Sequence, residues 1–318
     1  MAKRKKPYDV LEEIPFGKKP KVLLVGNGIS RDFLGGREID QIIQDQWRKH
    51  YEEELPERGH RLIHHDIWKE ALPLQVVIAT KDHVSSCMNE LANEFRKCVH
   101  VEEQIDLVHT LLSVNVDAVL STNYSLEFEK STIDNISDRK IYNQYRITQE
   151  QTSQQEQFGI YQCTEIPHAN RPLLWHIHGT ALRKKSMVMG QFYYGKLLSE
   201  IVQRSNQVLK EYKKTLVEKS SYIPKSWVDY FLIGDVYCLG FGMDLSETDL
   251  WWLISFKKDA FPDSSFTLYE RSQKSGIREL LYDAYGIKVI STPELRGGSY
   301  IEFYKNVCAD IKTKNEIR

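Results

Sequence analysis

The chain has 318 residues, enough for one large domain or for a domain carrying a substantial insertion. Apolar residues make up 41% and charged residues 27%, the composition of an ordinary soluble globular protein. With 43 Lys and Arg against 44 Asp and Glu the net charge is -1, which excludes a general electrostatic pull toward nucleic acid or an anionic membrane.

Residues 1–20 open on the basic run MAKRKKP, with no apolar stretch behind it, and are expected to be a solvated tail and not a secretory signal. Lys21 to Val25 is a short apolar run that stops at Gly26-Asn27-Gly28, with helical spacing from about Glu38 to Tyr51. A strand, a glycine turn and a helix is how a mononucleotide-binding unit begins. Leu72 to Thr80 fits either a strand or a helix end. Helices are predicted over about Asp82 to Val99 and Glu102 to Leu112, and a strand over Val116 to Tyr124, with Ser125 placed to cap a following helix. Between about Lys130 and Arg171 the chain turns polar, as a solvated loop or a hairpin tip. RPLLWHIHG then reads as a strand, Gln191 to Glu218 as a long helix, and DVYCLGFGMD as a strand ending in glycines. Ser246 and Asp249 have the spacing of a capping box for the helix behind it. Strand, helix, strand and a final helix from about Tyr300 to Lys312 complete the chain.

Alternating strands and helices predict an α/β, Rossmann-like fold: a mainly parallel, doubly wound sheet with a helical subdomain. The expected organisation is a single domain over 21–318, with helical insertions at about 37–112 and 187–229. No apolar run approaches the ~20 residues that cross a bilayer. Five cysteines without any C-x-x-C pair read as reduced thiols in a cytoplasmic protein without a cysteine zinc site.

Four predicted strands end in Gly, Asn or His: VLLVGNGIS, AVLSTNY, LLWHIHGT and YCLGFGMD. In a parallel sheet these ends share one edge, where open α/β folds bind ligands. Gly26-x-Gly28 would let a backbone approach a diphosphate, or would merely allow a tight turn; Arg31 stands where a dinucleotide fingerprint has its third glycine. His176 and His178 lie two apart, sharing one face of a strand. They read as a metal pair, a structural pair or a catalytic residue beside a structural one. A metal would need further ligands, and His60, His64 and His65 are distant, so no metal is expected.

Together the four strand ends resemble the sirtuin-like (silent information regulator type) NAD-binding domain. Its G-A-G-I-S loop, T-Q-N-x-D segment, His-Gly pair and late glycine loop are matched in order by Gly26-Asn27-Gly28-Ile29-Ser30, Ser121-Thr122-Asn123-Tyr124-Ser125, His178-Gly179 and Gly240-Phe241-Gly242. Asp32-Phe33 echoes the family's cofactor loop. The resemblance implies that Asn123 and His178 are the catalytic pair, the asparagine fixing the ribose or a water and the histidine acting as general base. It also implies that Gly26, Asn27, Gly28, Ser30, Asp32, Phe33, Thr122, Tyr124, Gly240, Phe241 and Gly242 bind NAD.

Three departures bear on function. The zinc ribbon of the protein-deacylating sirtuins is absent, which ranks deacylation last and points to the NAD hydrolases of bacterial anti-phage defence. Asn27 replaces an alanine, and Ser125 replaces the aspartate of N-x-D. The expected activity is cleavage of the nicotinamide–ribose bond of NAD, gated by homo-oligomerisation or by an activating partner protein, without membrane or direct nucleic-acid binding. Alternatives are ADP-ribosyl transfer and a non-catalytic NAD or ADP-ribose sensor.

Overall fold

The computed structural model describes residues 11–29, 41–43, 45, 75–76, 84–97, 102–132, 145–147, 159–164, 173–272 and 276–316. Eight strands among them form one sheet: β1 (Lys21–Val25), β2 (Ala118–Ser121), β3 (Tyr145–Ile147), β4 (Gln162–Thr164), β5 (Leu173–His176), β6 (Asp235–Leu239), β7 (Phe266–Tyr269) and β8 (Lys288–Ile290). Their order is β3-β4-β5-β2-β1-β6-β7-β8. The six strands from β5 to β8 are parallel, while β4 runs antiparallel to β5 and β3 antiparallel to β4. Numbered along the chain, the parallel strands alone have the order 3-2-1-4-5-6 of the doubly wound dinucleotide fold. The order reverses between β1 and β6, so the switch point lies where Gly26 and Gly240 follow those strands.

β2 and β6 are buried throughout and β1 nearly so, which is why they read as apolar runs without alternation. Side chains alternate between the two faces. Leu24, Leu120, Trp175 and Cys238 join one core with α4 (Gln191–Glu218), α5 (Trp227–Ile233) and α6 (Thr248–Ala260). Leu23, Val119, Leu174 and Leu239 join the other with α2 (Glu102–Leu112), Phe128 of α3 (Glu127–Thr132) and the C-terminal helix (Tyr300–Glu316). Helices therefore cover both faces, as the alternation of elements predicts. A third, smaller core gathers Ile42, Ile43, Val76 and the helix α1 (Val84–Arg96) against Tyr124, Ala181, Met187 and Met189. Part of the expected 37–112 insertion thus forms a helical layer over the loops that follow β2 and β5.

The structure departs from the expected local capping at two places. Ser246 and Asp249 do not form a capping box: α6 has Glu247 at its N-cap, with no side-chain cap bond, and Asp249 bonds elsewhere. A capping box is formed instead by Ser226 and Asp229 at the start of α5. Nor does Ser125 cap α3. The helix begins at Glu127, and the Ser125 hydroxyl hydrogen-bonds the Glu127 carboxylate. The predicted helix from about Glu38, the segment Leu72 to Thr80 and the histidines 60, 64 and 65 lie wholly or largely outside the described residues.

Candidate functional site

The carboxyl ends of β5, β2, β1 and β6 are adjacent, so the four glycine-, asparagine- or histidine-bearing loops do meet along one edge. At the switch point the first and last of them pack backbone to backbone. Gly26 N–H donates to Leu239 O (3.0 Å) and Gly28 N–H to Gly240 O (2.7 Å). A Cβ at Gly26 would collide with the backbone of Phe241, and one at Gly28 would lie 2.7 Å from the Tyr304 hydroxyl. The glycines are required here because two loops touch. Asn27 is half-buried between them, and Gly28 and Gly242 are exposed. Gly242 offers its carbonyl to Arg278 Nη1 (3.3 Å). Ser30, Asp32 and Phe33 lie outside the described residues.

Thr122 extends β2 toward β1, its N–H donating to Val25 O at 3.0 Å. Asn123 follows, and its side chain is 1% exposed. Its Nδ2 donates to Glu127 Oε1 (2.8 Å) and to Gly26 O (3.4 Å), while Oδ1 is buried with no partner. The ring of Tyr124 packs 5.3 Å from Phe95, and its hydroxyl donates to Val188 O (2.7 Å).

The two histidines at the end of β5 go to different partners on opposite faces of the sheet, contrary to the shared face their spacing predicts. His176 is the last strand residue and lies with α3: Nε2 meets Glu129 Oε1 (3.0 Å) and Nδ1 meets Asn123 O (2.9 Å). The chain then turns. Gly179 takes φ +82°, where a side chain would strike the Ser186 carbonyl. His178, in that turn, reaches α6, with Nε2 3.0 Å from Asp249 Oδ2 and 3.7 Å from Glu247 Oε2. The Tyr194 ring packs edge-on to His178 at 5.4 Å, and its hydroxyl donates to Glu247 Oε2 (3.3 Å).

Both histidines are thus matched by a carboxylate from the first turn of a helix that follows a strand, Glu129 on α3 and Asp249 on α6. Free N–H groups and the dipole at a helix start favour acidic side chains there. Burial pulls the His178 imidazole down, but the Asp249 and Glu247 carboxylates outweigh it and raise its pKa to about 8. For His176, burial is likewise outweighed, chiefly by Glu129, and the pKa rises to about 9. Burial pushes the Glu247 carboxyl up, and His178 opposes it. Tyr194 is held well above the usual phenol range by burial and by Glu247, so it remains a donor.

Asn123 and His178 therefore stand at the ends of adjacent strands in two neighbouring clusters, the first with Glu127, the second with Asp249, Glu247 and Tyr194. Tyr124, next to Asn123 in the chain, lies within the field of the second cluster: burial, then Glu247 and Asp249, raise its phenol. One ligand atom each from His178, Glu247 and Asp249 lies within 4.8 Å of the others, a donor set that a divalent cation also accepts. Sequence reasoning missed Glu127, Glu129, Glu247 and the role of Asp249. Their common signal is an acidic residue at the N-cap or in the first turn of a helix that follows a glycine- or asparagine-ended strand. Among the described residues no helix is long and apolar enough to cross a membrane. Neither the protein-family models nor the curated proteins give a match to this chain.

Proposed function

We propose that the chain is a sirtuin-like NAD hydrolase that cleaves the nicotinamide–ribose bond. The observation that carries this reading is the His178–Asp249 pair, held beside the switch point of a sheet with the dinucleotide-fold strand order. Asp249 accepts from Nε2–H, which leaves the imidazole lone pair on Nδ1. In the proposed reaction the C1′–N bond breaks with its electron pair going to nicotinamide, which leaves neutral. Water adds to C1′ and gives its proton to His178. As the bond breaks the positive charge passes from the pyridinium to the oxocarbenium-like sugar, and negative charge from Asp249 on the sugar side would favour that transfer. No acid is needed at the leaving group, so the paired carboxylic acids of ordinary glycosidases are not required.

His178 is 2% and Asn123 1% exposed, so both are enclosed in the fold and a substrate must displace what covers them. That enclosure supports an enzyme gated by self-assembly or by a partner protein, as a cell-depleting effector of anti-phage defence would need to be. The test is nicotinamide release from NAD by the purified chain, alone and at concentrations that drive assembly. His178→Ala and Asn123→Ala should abolish release while the far-ultraviolet circular dichroism stays that of the parent. Release unchanged in both variants rejects the assignment.

A further inference from the structure

Asn123 has two ends, and the structure commits only one of them. Its Nδ2 faces two acceptors, Glu127 Oε1 at 2.8 Å and the Gly26 carbonyl at 3.4 Å. The flipped amide would set Oδ1 against both oxygens, two repulsive acceptor–acceptor contacts, so the observed orientation is the one the surroundings impose. Glu127 is itself wholly buried. Burial raises its carboxyl, and the donors Asn123 and Ser125 oppose the rise. Oε1 is the oxygen that accepts from Nδ2, while Oε2 is buried with no hydrogen-bond partner. Asn123 Oδ1 is likewise buried and unpartnered. An acceptor left in that state forgoes the hydrogen bond it would make in water, and a bound donor would restore it.

We propose that Glu127 is a positioning residue: it turns the Asn123 amide so that Oδ1 accepts a hydroxyl or water donor from the ligand. The second half of this rests on the reading of Asn123 as a ligand-contacting residue. It restricts the group bound there to a donor, such as a sugar hydroxyl or the attacking water, and excludes a phosphate or carbonyl oxygen. It also gives the carboxylate missing at Ser125 a replacement two residues along, on the first turn of α3.

The test combines two readouts on the full-length protein. The first is the side-chain amide resonance pair of Asn123, assigned by its loss in Asn123→Ala and followed by hydrogen exchange. Exchange should be slow in the parent and in Glu127→Gln, which retains an acceptor, and about tenfold or more faster in Glu127→Ala. The second is nicotinamide release. Glu127→Ala should lose about 10–100-fold in kcat with KM for NAD changed much less, and Glu127→Gln should recover most of the loss. An Asn123 amide that exchanges equally fast in parent and Glu127→Ala overturns the proposal. So does a Glu127→Gln variant as slow as Glu127→Ala, because charge and not an accepted hydrogen bond would then be what matters. If the parent releases no nicotinamide, the hydrolase reading fails, and the exchange measurement decides the role of Glu127 by itself.

Discussion

Asp249 Oδ2 lies 3.0 Å from His178 Nε2, joining the first turn of α6 to the turn that follows β5. The carboxylate fixes which nitrogen carries the proton and, in the proposed reaction, would stabilise the imidazolium formed when His178 accepts a second one. Asp249→Asn keeps the shape but can offer its NH2 to Nε2 and so favour the wrong tautomer. In a comparable catalytic pair that change costs about 10⁴-fold. We expect a loss of at least about 10²-fold in kcat for nicotinamide release, measured at saturating NAD. A variant within threefold of the parent would remove His178 from the role of base.

The pH profile follows from the same pair. A base works only when deprotonated, and the two carboxylates hold His178 up at about 8. In the parent, log kcat/KM should therefore climb with unit slope at lower pH and level off above about 8. Removing the Asp249 charge lets burial dominate, so the residual activity of Asp249→Asn should level off at lower pH. A rate measurement from pH 5.5 to 9.5 on both proteins checks this, and a shift toward higher pH in the variant contradicts it.

His178, Glu247 and Asp249 also form a donor set for a divalent cation. If they act as a hydrogen-bonded cluster, with Tyr194 donating to Glu247, a chelator leaves nicotinamide release unchanged, and added manganese or zinc inhibits by binding Nε2 between the two carboxylates, which moves the proton to Nδ1 and leaves His178 no base nitrogen. Activity that collapses with chelator and returns with metal would make these residues ligands instead.

The parallel sheet and most of its helices were legible in the sequence because buried strands and amphipathic helices leave periodic signals. The meeting of four strand ends followed directly from parallel order. The side-chain pairings did not. Asp249 carries the spacing of a cap, yet its carboxylate turns to a histidine 71 residues away. Nothing local distinguishes those two uses of an aspartate in a first turn. The shared face expected for His176 and His178 failed because strand geometry ends at His176, and Gly179 allows the left-handed turn that sends His178 to the other layer. Gly26 and Gly28 were legible as close-approach positions, and the backbone they approach in the structure is that of Gly240 and Phe241.

His176 and Glu129 provide a measure of stability without any catalytic assay. The folded-state pKa of His176, about 9, lies above its ordinary 6.5, so the pair contributes fully below about 6.5 and is lost as pH rises through about 9. The contribution is on the order of 3 kcal/mol. Urea midpoints of the parent should fall toward those of His176→Gln between pH 6.5 and 9. A gap between the two proteins that stays constant over this range would mean that His176 does not ionise in the fold.

A second buried ion pair lies well away from the site. Asp229, on the first turn of α5, accepts from Arg204 of α4 through both Nε (3.0 Å) and Nη2, and from the Tyr222 hydroxyl (2.6 Å). The same carboxylate closes the capping box by accepting from Ser226 N–H (3.0 Å). Arg204 and Asp229 are both almost wholly buried, so neither has water to replace a lost partner. Asp229→Asn leaves the buried guanidinium only the part-exposed Glu211 carboxylate, 3.4 Å from Nη2, and should cost up to about 3–5 kcal/mol, read from chemical denaturation. Arg204→Met with Asp229→Leu removes both charges and should recover part of that loss, since the pair's own attraction largely offsets its desolvation. If the single variant costs less than about 1 kcal/mol, α4 and α5 are held together by apolar contacts alone.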